Sequence, residues 1–379
     1  MTLCRDWERM VTFLAQIRNL RSREETFYLN RLHQAMWRSF SPSNAFTFRI
    51  PLAVAGLILL GIWVSNCQPI AIAPHAKPDV LPIINAHFHL NHDMPAETLI
   101  ALMESAGVQR MVLMARYLRD GKTDDAQSRE YARQYPERFI PFIGGQRPEL
   151  RLAQRWFNPD QVANRLLAET EEKLRSGAFY GVGELIIRHY SYPIPGHGQA
   201  GEVDIPPDTP LMRAFAALGA KYAVPLTIHA EAEPQVVQGM TTLLAHNRKA
   251  KIIWAHSCGR SAAKAIRELL IKYPNLLCDL ANMVRGVNPR GRGYGDYFPR
   301  QTPWIHLIED GSGHLYDDMK KLYEDFPDRF LLGTDNAHTA SLRQFVPRIL
   351  RFRELLSGLT IQTAQRIAYR NAEELFQRR

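Results

Sequence analysis

Cysteine is scarce in this sequence and poorly spaced for its usual structural roles. Four occur in 379 residues, Cys4, Cys67, Cys258 and Cys278, and no two form a CxxC pair. That spacing excludes a zinc knuckle and suggests no disulfide framework. A glycine-rich phosphate turn is also missing. The first strand-like run leads into "NAHFHLNHD" (85–93), where a doubly wound nucleotide fold needs glycines. There is no internal repeat, and charge of one sign is not concentrated. Residues 1–66 hold eight Arg, no Lys and four acidic residues, a balance of +4, while the remaining 39 basic and 34 acidic residues give +5. That is too mild for a nucleic-acid surface, and no nucleic-acid partner is expected. With 46% hydrophobic and 22% charged residues, the chain reads as globular rather than disordered.

Long hydrophobic runs are missing with one exception, "IPLAVAGLILLGIWVSNCQP" (50–69), whose densest part, Ile50 to Val64, is 15 residues long. A comfortable membrane span needs about 20 apolar residues, and a signal-peptide core roughly 7–15. Arg38 and Arg49 lie on its amino side, the polarity of a segment whose carboxyl side is exported. The run ends at Cys67 and a Pro/Ala-rich stretch follows, which resembles a bacterial lipoprotein signal, although Asn66 stands where that pattern has Gly, Ala or Ser. An uncleaved signal anchor is the alternative. The expected organisation is a leader over 1–49 (cytoplasmic, or in part untranslated if Met36 is the start), a signal core or membrane anchor over 50–67, a linker over 68–80 and one domain over 81–379. That domain is expected outside the cytoplasm, in the periplasm or at the cell surface, attached to the membrane through the amino-terminal segment.

From residue 80 onward, short β-rich runs alternate with helical stretches. Strand candidates cover 81–89, 109–116, 138–145, 179–187, 224–230, 251–257, 275–282 and 329–336. Between them lie amphipathic stretches such as "DQVANRLLAETEEKLRSG" (160–177) and "GRSAAKAIRELLIKYP" (259–274). Eight βα repeats predict an α/β fold, a closed (β/α)8 or TIM barrel with its chemistry at the carboxyl ends of the strands. Two further helices, around 342–357 and 361–377, are expected to close the chain.

The tips of these runs share one property. "IINAHFHL" (83–90) ends strand one with His87 and His89, strand four carries Glu184, strand five His229, strand six His256 and strand eight Asp335. Residues two apart on a strand face the same way, so His87 and His89 sit side by side. A lone His or Glu at a strand end is most simply satisfied by hydrogen bonds. Six such groups at one rim need a cation, because buried unpaired charge is costly. Imidazole and carboxylate donors suit zinc, with manganese or iron as alternatives.

This constellation resembles the amidohydrolase superfamily, in its amidohydrolase-related branch of lactonases, hydrolases and non-oxidative decarboxylases. The resemblance spans about 81–379 and rests on HxH at strand one, His229 in "TIHAE", His256 in "IIWAHSCG", Asp335 in "LLGTDNA" and the closing "RIAYRNAEELF". It implies that His87, His89 and Asp335 bind a metal, that His229 is the strand-five ligand, and that His256 binds metal or touches substrate. "GVGELII" places Glu184 where other branches bridge two metals, so one or two ions are expected. Such ions lower the pKa of bound water from near 16 to about 7. Asp335 would take the proton and later deliver it to the leaving group, and His256 would stabilise charge on the substrate oxygen.

The expected activity is therefore hydrolysis of a C–O or C–N bond in a small anionic lactone, ester or amide. Non-oxidative decarboxylation is the alternative, with phosphodiester cleavage and non-enzymatic binding behind it. Two segments bear on substrate. "NMVRGVNPRGRGYGDYFPRQTPW" (282–304) interleaves Arg285, Arg290, Arg292 and Arg300 with aromatics, a composition suited to an anionic, planar group or to a solvated loop. The Pro/Gly-rich insert over 187–210 is long enough for a lid, and Arg188 and His189 stand close enough to Glu184 to reach the mouth. Cys258, two residues beyond His256, reads as a small packed side chain rather than a nucleophile.

Overall fold

A computed structural model of the protein describes residues 81–117, 125–191, 193–194, 198–199, 201–284 and 305–377. The leader, the apolar run, the linker and the arginine-rich stretch over 285–304, with Arg285 and Arg292, lie outside the described residues. Among the described residues no helix is long and apolar enough to cross a membrane.

Eight strands follow one another around the sheet. They are β1 (Ile83–Asn85), β2 (Val108–Arg116), β3 (Phe139–Gln146), β4 (Val182–His189), β5 (Leu226–Ala230), β6 (Ile252–Trp254), β7 (Leu276–Asp279) and β8 (Phe330–Leu331). Every consecutive pair is parallel. The sheet closes on itself through backbone bonds between the ends of β8 and β1: Ala86 N donates to Leu332 O at 2.8 Å, Thr334 N to His87 O at 3.2 Å and His89 N to Asn336 O at 3.1 Å. A helix follows each strand: α1 (Ala96–Ala106), α2 (Asp125–Gln134), α3 (Gln161–Arg175), α4 (Pro210–Tyr222), α5 (Pro234–His246), α6 (Ala263–Lys272), α7 (Asp317–Asp325) and α8 (Phe345–Ser357). This is the (β/α)8 barrel that the strand count predicts.

Local chemistry sets the helix limits. The Asp160 side chain accepts from Ala163 N at 2.9 Å and starts α3, an N-cap that satisfies an otherwise orphaned donor. Buried Ala163, Leu166, Thr170 and Leu174 then recur at helical spacing. Inside the barrel, alternate strand residues meet: Ile84, Val112, Met114, Ile140, Phe142, Ile253, Leu277 and Leu331. Phe376, from the last helical segment, seats its ring 5.5 Å from that of Phe142.

Four expectations need correction. Strand eight pairs only over Phe330–Leu331 rather than 329–336. Strand one does not run unbroken from 81 to 89. Its ladder stops at Asn85, whose side-chain oxygen takes Thr334 N (3.0 Å) and His87 N (3.3 Å), and pairing with β2 resumes at His89–Leu90. Strand six ends at Trp254 rather than 257, because the chain turns left-handed from His256 to Arg260. Cys258 is not a free packed cysteine but forms a disulfide with Cys278, with Cα atoms 5.0 Å apart. The pair matches no sequence motif because parallel pairing of β6 with β7, not chain proximity, brings the two together. The insert over 187–210 partly folds back on the sheet, with Val203–Asp204 antiparallel to the tip of β4.

Gly333, at the closing seam, has no room for a side chain. A Cβ there would stand 2.7 Å from the His87 Cβ and 3.0 Å from the Ala281 Cβ. Gly333→Ala is therefore expected to destabilise the domain by about 1–3 kcal/mol through overpacking, measurable as a lowered urea midpoint. An unchanged midpoint would show that the seam is looser than this geometry.

Candidate metal centre

The six polar strand-tip residues converge at the carboxyl end of the barrel and form two triads. His87, His89 and Asp335 make one, and Glu184, His229 and His256 the other. In each triad the three donor atoms lie within 4.8 Å of one another. Five of the six residues are buried, and the Asp335 side chain, 17% exposed, is the most open. Glu184 joins the two halves. Its Oε1 lies 3.1 Å from His229 Nδ1 and 3.4 Å from His256 Nε2, and its Oε2 lies 3.4 Å from His89 Nε2.

Outer partners orient the rings. His87 Nδ1 donates to Asp279 Oδ2 at 2.9 Å, His256 Nδ1 to the Ala281 carbonyl at 2.8 Å, and His229 Nε2 to Glu231 Oε1 at 3.2 Å. Carbonyl and carboxylate oxygens only accept, so His87 and His256 in their neutral forms spend the N–H outward and aim a bare lone pair inward. His229 stands between two carboxylates, Glu231 at Nε2 and Glu184 at Nδ1, and His89 Nδ1 has no hydrogen-bond partner among the described residues. The inner nitrogens are crowded: His256 Nε2 and His229 Nδ1 stand 2.9 Å apart, and His87 Nε2 and His89 Nε2 stand 3.2 Å apart. Bare nitrogens at such distances repel unless a proton or a metal cation lies between them. The donor set therefore fits divalent metal, with imidazole and carboxylate ligands and histidines backed by carboxylates.

Protons compete for the same place. Burial opposes a charged His87, but the carboxylates of Asp279, Glu184 and Asp335 outweigh it and raise its pKa to about 10. Burial likewise opposes a charged His229, yet Glu184 and Glu231 raise it to about 9. Burial would raise Glu184 and Asp335, but the surrounding imidazoles hold both carboxyls well below the usual range. The cluster is a sink for positive charge.

Three contributors escape the sequence reading. Asp279 accepts from the His87 ring and also from His256 N (2.9 Å) and Ala281 N (3.0 Å). It bears the same signal as the other six, a polar group at the tip of an apolar strand, but on strand seven. Glu231 lies two residues beyond His229, just past the end of β5. Desolvation raises its carboxyl, and Arg260 more than offsets this and holds it at about 2. Gln146, at the tip of β3, donates to Glu184 Oε2 at 3.2 Å and is itself held by Arg116.

The turn that carries His256 is costly. His256, Ser257, Cys258, Gly259 and Arg260 all have φ between 52° and 70°, a region disfavoured by about 1–2 kcal/mol for each residue bearing a Cβ. Gly259 is required for a second reason, since a Cβ there would lie 2.4 Å from Ala230 O.

The substrate candidates separate. His189 places its ring centroid 5.1 Å from that of His229. Burial and the neighbouring His229 depress its pKa to about 4, so it faces the centre as a neutral imidazole. The Arg188 guanidinium is engaged by Glu233 at 2.5 Å and Glu202 at 2.9 Å and lies over the Tyr190 ring.

Comparison with known proteins bears on the fold and the family. No curated protein sequence matches the chain significantly. Among solved structures, the chain is similar to an uncharacterised TIM-barrel protein from Bordetella bronchiseptica, at 15% identity over 78% of this chain and 98% of that one with a TM-score of 0.52. It is also similar to a dihydroorotase from Campylobacter jejuni (14% identity, 79% and 84% covered, TM-score 0.46). A 2,6-dihydroxybenzoate decarboxylase from Rhizobium gives 15% identity, 78% and 98% covered, and a TM-score of 0.40. At such identities the likeness concerns the fold alone. The sequence itself goes further: residues 84–378, the whole barrel, match the amidohydrolase family, and the chain belongs to that family.

Proposed function

We propose that this protein is a metal-dependent hydrolase that cleaves a C–O or C–N bond of a small anionic lactone, ester or amide, using two divalent cations, zinc foremost. One observation carries the reading. The Glu184 carboxylate belongs to one triad and reaches the other, with Oε1 3.1 Å from His229 Nδ1 and Oε2 3.4 Å from His89 Nε2. Held by His87, His89 and Asp335 on one side and Glu184, His229 and His256 on the other, such cations supply Lewis acidity, which acidifies bound water and polarises a carbonyl.

The chain's own groups divide the remaining work. Asp335, the most open carboxylate of the six and ionised at neutral pH, accepts the proton of the attacking water and delivers it to the leaving group. Asp279 and the Ala281 carbonyl take the outward N–H of His87 and His256, and Glu231 accepts from the outer nitrogen of His229, which orients these three rings. Neutral His189 offers the substrate a hydrogen bond beside His229. The arginine-rich sequence over 285–304 supports an anionic substrate. The Cys258–Cys278 disulfide supports an oxidising, extracytoplasmic compartment.

Elemental analysis of the full chain, purified without chelator, tests the reading. About two equivalents of zinc, manganese or iron per chain are expected, with the His87→Ala/His89→Ala variant keeping no more than one. A chain without stoichiometric metal after reconstitution would refute it. A screen of lactones, esters and amides then decides the reaction class; release of CO₂ from an aromatic acid would replace hydrolysis by decarboxylation.

With a substrate in hand, Asp335→Asn is expected to lower kcat by about 10²–10⁴-fold while leaving the circular dichroism spectrum unchanged. Near wild-type turnover would remove the proton-transfer role.

Metal binding must also displace protons. In the metal-free chain His87 and His229 stay protonated up to about 10 and about 9, so protons compete below those values. Zinc affinity is expected to rise as pH goes from 6 to 8, and the calorimetric heat should vary with the ionisation enthalpy of the buffer. Affinity independent of pH would contradict the proton-filled cluster.

A further inference from the structure

We infer that the Cys258–Cys278 disulfide is a positioning bond for the half of the centre built on Glu184, His229 and His256, and that this half loses its ion when the bond is absent. The inference rests on the two-ion reading above. Both sulfur-bearing residues are fully buried, and the bond joins the two segments on which His256 depends. Cys258 sits in the left-handed turn two residues after His256, and Cys278 directly precedes Asp279.

His256 takes its position from the far side of that bond. Its backbone N donates to Asp279 Oδ1, and its ring Nδ1 donates to the Ala281 carbonyl. Both partners lie within three residues of Cys278. The other contacts that hold the turn in its disfavoured backbone region are non-covalent: His306 N donates to Arg260 O at 2.8 Å and Ser261 N to Ser257 O at 3.3 Å. Ala232 N donates to Gly259 O at 3.1 Å, Ser261 Oγ to Cys258 O at 2.8 Å, and the Arg260 guanidinium pairs with Glu231. Without the disulfide, only these non-covalent contacts oppose relaxation of the turn toward ordinary backbone angles, and such relaxation swings His256 away from His229 and Glu184.

The other half is fixed differently. His87 is held by the closing seam of the barrel, where its carbonyl accepts from Thr334 N and Asp335 N and its own N donates to Asn85. The two halves therefore respond differently to loss of one bond, which a merely stabilising disulfide would not produce.

The test compares metal stoichiometry and zinc affinity, by competition with a chromophoric chelator, in the oxidised full chain and in the Cys258→Ser/Cys278→Ser variant. The wild type is expected to hold two ions. The variant should keep one, with the second weakened at least about tenfold, as for loss of an outer-shell partner, and with an unchanged circular dichroism spectrum. A parallel arm uses wild-type chain made in a reducing cytosol, shown by thiol titration to carry two more free thiols than the oxidised protein. It should also hold one ion, and reoxidation should restore the second. Two ions at wild-type affinity in either disulfide-free form would overturn the inference and leave the metal reading standing. Absence of metal from the oxidised wild type would overturn both.

Discussion

Lone pairs and carboxylates that converge in a buried space are the constraint around which this molecule is arranged. His256 Nε2 and His229 Nδ1 face each other at 2.9 Å, with buried Glu184 and the partly exposed Asp335 alongside. Left to itself, such a cluster repels. Protons relieve it in part, which is why His87 and His229 hold theirs far above the ordinary imidazole range. Divalent metal relieves it better, because one cation can accept several lone pairs at once. The outer groups make sense in that light. Asp279, Glu231 and the Ala281 carbonyl each occupy the far nitrogen of a ring and commit the near one to the centre.

The barrel supplies the rigidity that such crowding demands. His87 is part of the seam between β8 and β1, so one side of the candidate centre is fixed by the closure of the sheet itself. His256 has no such support, since β6 ends at Trp254 before His256 is reached. Its position depends instead on a short left-handed turn, a strained arrangement of the kind that persists at functional sites when neighbours over-determine it. Asp279 serves both regions, binding the His87 ring and the His256 backbone with opposite oxygens. Two adjacent residues of β7, Cys278 and Asp279, thus tie the halves of the centre together, one covalently and one by hydrogen bonds.

Reading residue types along the chain reached the site unevenly. His87, His89, Glu184, His229, His256 and Asp335 were legible because each interrupts an apolar run at its carboxyl end, and strand tips of a barrel share one rim. Asp279 gives the same signal in "NLLCDLAN". Glu231 was visible as the residue two beyond His229, yet only the Arg260 guanidinium beside it, brought from the next strand's turn, marks it as an ionised partner. The disulfide had no signal at all. Cysteines 20 residues apart fit no motif, and only the parallel register of β6 and β7 makes them neighbours.

Sequence alone determined the repeating βα order, the carboxyl-end placement of the ligands and the donor chemistry, because these follow from local periodicity and side-chain type. Tertiary structure decided what depends on groups distant in the chain. It set Glu184, a member of one triad, beside His89 of the other, gave His87 and His256 their outward hydrogen-bond acceptors, bonded Cys258 to Cys278 and wound residues 256–260 left-handed. None of these is a property of a segment. Each is a contact between strands that meet only when the sheet closes, and the energy that holds each comes from the partner across the gap.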